Sequence, residues 1–282
     1  ILGTSSLCPA QDEADLIAYS HLTDGYWQIW ILDLAKFESQ QITTSSVDKR
    51  YPIWIKGGKK IMYRTSNAEM FIVDVENKKE TQILDKFGVI TDPAWSEVNK
   101  RLAFTRYEGY LKDESEIWTI QLDGQDQRVL THEPGMQYNP AWSPDGNTIV
   151  YASGKTFGTH QIWIMDKDGK NQKKLTENTG KWDILPAFSP DGEKIVFASN
   201  REGSFDIWIM DKHGKGLKNL TKNEALDTKP SFSPDGKQII FTSTRSGTLG
   251  LWVMNIDGTN PRRLTDGKSE CQDASWIRLK KE

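Results

Sequence analysis

A phrase of about 44 residues recurs through this chain, and a period of that size commits a sequence to an array of small supersecondary units. Its clearest token is an aromatic residue followed by a tight turn. Plain copies are Pro140-Ala141-Trp142-Ser143-Pro144-Asp145-Gly146, Pro186-Ala187-Phe188-Ser189-Pro190-Asp191-Gly192 and Pro230-Ser231-Phe232-Ser233-Pro234-Asp235-Gly236. Weaker copies begin at Pro52 and Pro93, and a truncated one at Ala274. The aromatic anchors Trp54, Trp95, Trp142, Phe188, Phe232 and Trp276 lie 41, 47, 46, 44 and 44 residues apart.

Each period reads as four short β-strands, apolar and β-branched runs separated by Gly, Asp, Asn and Ser clusters. No apolar stripe of helical period persists for ten residues. Ser-Pro-Asp-Gly joins the first two strands. Proline pre-sets φ at the second turn position and glycine takes the left-handed one. Where the proline is missing, Gly58 and Asn99 stand at the glycine's distance from Trp54 and Trp95 and are expected to take the same conformation. One such unit cannot bury both faces of its sheet, so the units must stack.

The ends decide how they stack. The first strand to appear, near Leu16 to Tyr19, lacks an inner partner, and the last, Ala274 to Ile277, lacks a follower. An incomplete unit at each end adds up to one whole, which a closed ring needs and a linear solenoid does not. The expected fold is all-β: a six-bladed β-propeller of four-stranded antiparallel blades. The closing strand at about 273–278 should pair with the N-terminal strands at about 15–43. Residues 1–14 read as a tail and 15–282 as one domain. Tryptophans of the first and third strands should pack between blades; Trp27 and Trp182 fall in loops.

The phrases Pro-Ala-Trp-Ser-Pro-Asp-Gly, Ile-Trp-Ile-Met-Asp-Lys-Asp-Gly and Lys-Lys-Leu-Thr resemble the repeats of the TolB-like, WD-like propeller family, most strongly from Asn139 to Thr265. The resemblance implies a periplasmic or otherwise exported binding propeller, without the separate α/β domain that precedes the propeller in TolB.

A net charge of −3 with interspersed signs offers no basic stripe for nucleic acid, and no apolar run is long enough to span a membrane. No Gly-x-Ser-x-Gly nucleophile motif occurs, and His21, His132, His160 and His213 lack metal-ligand spacing. No cofactor is expected, although carboxylates around the channel could hold a cation. Cys8 and Cys271 would both belong to the closing blade, as a clasp or as two thiols.

Binding is expected at the channel mouth, on the face that gathers the variable loops. These supply Tyr26, Trp27, Tyr107, Tyr110, Phe157, His160, Trp182 and Phe205. The starts of the inner strands add Arg50, Asp92, Asn139, Asp183, Asp227 and Lys229, with Asp273 beside them. Mixed charge points to a protein or peptide partner, bound by a monomer or by a subunit of a hetero-complex. An alternative reading makes Asp183 and Asp227 the acid and base of a carbohydrate-active lyase or hydrolase. A further one makes the chain a structural subunit of an extracytoplasmic assembly.

Overall fold

The computed structural model describes residues 13–85, 87–107, 114–156 and 158–280. Apart from a single 3-10 turn at Lys56–Gly58, every regular element among them is a β-strand. Hairpin turns set the spacing. In the plain repeats Gly146, Gly192 and Gly236 have φ of 68°, 72° and 70°, and each glycine N–H donates to the serine carbonyl three residues back. The serine side chains add to the turn: Ser143 Oγ bonds the Asp145 carboxylate at 2.6 Å and accepts from the Thr148 N–H at 3.0 Å. Gly58 takes the expected left-handed conformation, but Lys100 rather than Asn99 does so in the next repeat. The Asn99 amide instead reaches across to donate to the Gly146 carbonyl at 2.7 Å.

Four sheets hold four antiparallel strands each. One runs Lys49–Ile55, Lys60–Thr65, Met70–Asp74, Glu80–Ile83; another Asp183–Phe188, Lys194–Ser199, Asp206–Asp211, Lys218–Asn219; a third Asp227–Phe232, Gln238–Ser243, Gly250–Asn255, Arg262–Arg263. The fourth is built from both ends of the chain: Cys271–Lys280 pairs antiparallel with Glu13–Thr23, followed by Tyr26–Asp33 and Glu38–Gln41. The terminal strands run well past the expected 273–278, with Glu13 opposite Lys280 and His21 opposite Cys271.

The remaining sheet differs from expectation. It has eight strands, made of two four-stranded halves, Thr91–Val129 and Met136–Lys174, joined by a lone parallel pair between Ser115 and Met136. The cause is local. Ser115 N–H donates to Gly135 O at 3.2 Å, and its hydroxyl donates to Gln137 O at 3.0 Å and accepts from Gln137 N at 3.1 Å. The corresponding contact in the next repeat is an isolated parallel bridge between His160 and Trp182, and further on it is a single bond, Asp227 N to Phe205 O at 2.8 Å.

The core lies between successive sets of strands, in six apolar clusters. One packs Ile117 and Leu130 against Ile149, Tyr151 and Met165, between the halves of the eight-stranded sheet. Another packs Ile240, Leu251 and Val253 of the last complete sheet against Ile17, Tyr19 and Leu32 of the first. The sets therefore follow one another around a closed ring, in which the unpaired edges of the inner strands are short and turned toward the centre. The repeat tryptophans sit in these seams as expected: Trp30 and Trp276 in one, Trp95 and Trp118 in another. Trp54 also bonds the Ser275 carbonyl across the closing seam at 2.9 Å. Each of these seams removes large apolar rings from water, and truncating one tryptophan should cost about 3–5 kcal/mol.

Candidate functional site

Every inner strand carries a β-bulge at the same place. The pairing shifts between Arg50 and Ile53, Thr91 and Ala94, Tyr138 and Ala141, Ile184 and Ala187, and Thr228 and Ser231. In the closing strand it shifts between Gln272 and Ser275. The first extra residue in each bulge is Tyr51, Asp92, Asn139, Leu185, Lys229 or Asp273, with φ between 48° and 59°. Left-handed backbone costs a non-glycine residue about 1–3 kcal/mol, and the first five also precede a proline that narrows their choices further. A bulge re-aims a side chain that regular pleating would send elsewhere. Here all six residues and the prolines after them surround a cavity of about 230 Å³ at the centre of the ring.

Charge around this mouth is uneven. Asp273 receives Arg50 Nε at 2.6 Å and also the Lys229 ammonium. Burial pushes its carboxyl up, but Lys229 and Arg50 outweigh burial and hold it below the usual carboxylate value. Lys229 additionally donates to Gln272 Oε1 at 2.9 Å and lies 5.2 Å from the Tyr51 ring centre; burial lowers its pKa. Arg50 stacks 4.8 Å from the Trp27 ring centre, so Trp27 joins the mouth through Arg50. Tyr51, closed in by these groups, has its phenol pushed up to about 12, chiefly by burial.

Asp92 differs. It accepts a hydrogen bond from Thr105 Oγ1 at 2.9 Å, and no cation forms an ion pair with it among the described residues. Burial raises its pKa, only partly opposed by Thr105, Asn139 and the more distant Arg64. Its neighbour Asn139 donates its N–H to Thr105 Oγ1 at 3.2 Å and accepts from Leu185 N at 3.3 Å, which ties successive bulges together. Tyr107 is 40% exposed beside Asp92; burial and then that carboxylate raise its phenol pKa.

Of the residues expected at the mouth, Asp92, Asn139 and Lys229 line the cavity, and Arg50 and Trp27 stand one step outside it. Others lie elsewhere. Asp183 and Asp227 do not face the mouth: both are fully buried two residues before a bulge, inside the blade. Asp183 Oδ2 takes Arg201 at 2.7 Å, Thr176 at 2.7 Å and Asn178 at 2.7 Å; Asp227 Oδ2 takes Arg245 and Asn223 at 2.7 Å each. Arg201 and Arg245 also stack on Trp208 and Trp252, so these arginines hold blades together.

His160 is also buried, between Tyr138 at 5.3 Å and Trp182 at 4.6 Å, so Trp182 covers a buried ring instead of projecting at the mouth. Phe205 lends its carbonyl to Asp227 N–H, and Tyr26 is exposed at a hairpin end. Tyr110, Phe157 and Cys8 lie outside the described residues. Cys271 is a buried free thiol with its pKa pushed up to about 12, chiefly by burial. Tyr51 and Leu185 line the mouth and were missed, although the residue before the repeat proline marks both. No group of three or more His, Cys, Asp or Glu side chains among the described residues could hold a metal ion.

A closed ring of four-stranded units around a lined central cavity defines a β-propeller. The family model described as the TolB beta propeller domain matches residues 64–204 and 180–281, and the chain belongs to that family. The Tol-Pal system protein TolB of Nitratidesulfovibrio vulgaris is 37% identical over 51 residues, 18% of this chain and 11% of that protein. TolB of Anaeromyxobacter dehalogenans is 28% identical over 124 residues, 42% of this chain and 27% of that protein. The matched stretches thus span less than a third of these relatives. TolB from Acinetobacter baumannii superposes with a TM-score of 0.78 at 22% identity, over 93% of this chain and 66% of that one. An oligogalacturonate lyase solved with manganese superposes at 0.62 and 17% identity, over 88% of this chain and 73% of that one. At such identities these structures share the fold. No helix among the described residues is long and apolar enough to cross a membrane.

Proposed function

We propose that this chain is a non-catalytic, exported binding propeller that engages a protein or peptide segment at the mouth ringed by the bulges. The eight-stranded sheet counts as two blades, which makes six in all, one bulge to each. The observation that carries the reading is the ring itself: six residues with left-handed backbone converge on one cavity. Strained backbone clusters at ligand-binding and active sites, and here six such residues border one cavity. Proline and leucine walls beside a few fixed polar groups suit an extended peptide segment, which offers apolar side chains and backbone amides together. Kinship with proteins named for the Tol-Pal system supports an exported protein-binding role.

The lyase or hydrolase alternative lost its acid and base when Asp183 and Asp227 proved to be buried and paired with arginines. The test is capture of partners from an extracytoplasmic extract by the unaltered chain and by Leu185→Trp, which fills the cavity. Partners recovered by the first and lost by the second support the reading; equal recovery by both overturns it.

A further inference from the structure

Around the mouth, ion pairing is confined to one side. There Asp273 is shared by two cations, Lys229 in the lining and Arg50 behind it, so that side carries an excess positive charge. Asp92 is the remaining charged residue of the lining, and it has hydrogen bonds but no cation partner. Arg64 and Lys229 act on it from beyond ion-pair distance, and the phenols of Tyr51, Tyr107 and Tyr138 face it as neutral groups. Apart from its neighbour Asn139, the wall beside it is apolar: Pro93, Pro140, Leu185 and Pro186. A carboxylate at the end of an apolar wall matches a cation on an alkyl stem. A divalent metal would need further acidic or imidazole donors, and the described residues supply no such group.

We propose that the Asp92 side of the mouth seats a primary ammonium group, carried by a lysine side chain or by the amino terminus of a bound peptide. This rests on the mouth being the binding site. The ammonium replaces the missing counter-ion, so binding favours ionised Asp92 and draws a proton off any protonated fraction.

The test is a titration with n-butylammonium, followed by NMR of the Asn139 and Leu185 signals, with butanoate as the matched anion. The amine is expected to shift both residues, butanoate neither, and Asp92→Asn to weaken amine binding at least about tenfold. In the unaltered protein, amine affinity should fall as acid protonates Asp92. Equal binding of the two probes, unchanged affinity in Asp92→Asn, or a pH-independent affinity would each overturn the proposal. Two peptides then separate the sources: one with a free amino terminus and no lysine, one acetylated with a single lysine. Amine binding without any peptide binding would sink the peptide reading and leave the ammonium seat. A partner excluded by Leu185→Trp but indifferent to Asp92→Asn would do the reverse.

Discussion

Asp273 and Asp92 stand at the same register position of two repeats, at φ of 59° and 48°, and line the same cavity. Their electrostatic fates are opposite. The strands flanking Asp273 in the ring are those of Lys229 and Arg50, so it receives a cation from each side. Asp92 stands between Tyr51 and Asn139 and receives hydrogen bonds alone. The repeat determines where a bulge residue points; its neighbours around the ring determine what charge it carries there. One carboxylate is consumed in closing the ring, and the other has no ion-pair partner among the described residues.

The largest effect should come from removing the consumed one. Asp273→Ala leaves the half-buried Arg50 and Lys229 near each other without their buried anion, and breaking a buried pair in this way costs about 3–5 kcal/mol. Urea unfolding measures it, and a loss under about 1 kcal/mol would mean that the cations find other partners. The pH dependence follows the same logic. A depressed folded pKa gives stability that is fully present above the ordinary carboxylate value and lost as acid titrates the folded group. Asp227→Ala should come next, at about 3 kcal/mol, because it strands Arg245 inside a blade. Since the Asp227 side chain is not part of the mouth lining, that variant should keep whatever the cavity binds, as partner capture near neutral pH would show. Loss of binding at unchanged stability would return Asp227 to the site.

Much of the fold was legible because it repeats. Aromatic anchors, hairpin glycines and complementary ends each recur or match, so local and global signals agree. The mouth was harder to read. Side chains alternate along a strand, so a one-residue misjudgement sends a carboxylate to the wrong face. Asp183 and Asp227 stand two positions before the bulge, where regular alternation would give them the orientation that Leu185 and Lys229 have. The bulge breaks that alternation. It left a trace in the residue before each proline, which picks out Tyr51, Asp92, Asn139, Leu185 and Lys229 together, but Asp273 precedes Ala274 and escapes the rule. Charge pairing around the ring left no trace, since Arg50 and Asp273 lie 223 residues apart in sequence.

The smallest effect discriminates best between the two carboxylates. Asp92→Asn should stabilise the protein near neutral pH by about 1 kcal/mol, because it removes a desolvated charge without a counter-ion while keeping a polar group for Thr105. A raised folded pKa means that the folded state binds the proton more tightly than the unfolded one. Stability therefore declines as pH rises from the ordinary carboxylate value through the folded one, and levels off above it. Asparagine has no such titration, so the gap in melting temperature between variant and parent should be widest near neutrality. It should shrink in acid and become constant below about pH 4. Asparagine also tolerates left-handed backbone well, a benefit that does not depend on pH and is left as the residual gap in acid. The part of the gap that changes with pH isolates the charge. If the variant loses stability near neutrality, or its gap fails to narrow in acid, Asp92 already has a counter-ion and the two sides of the mouth are alike.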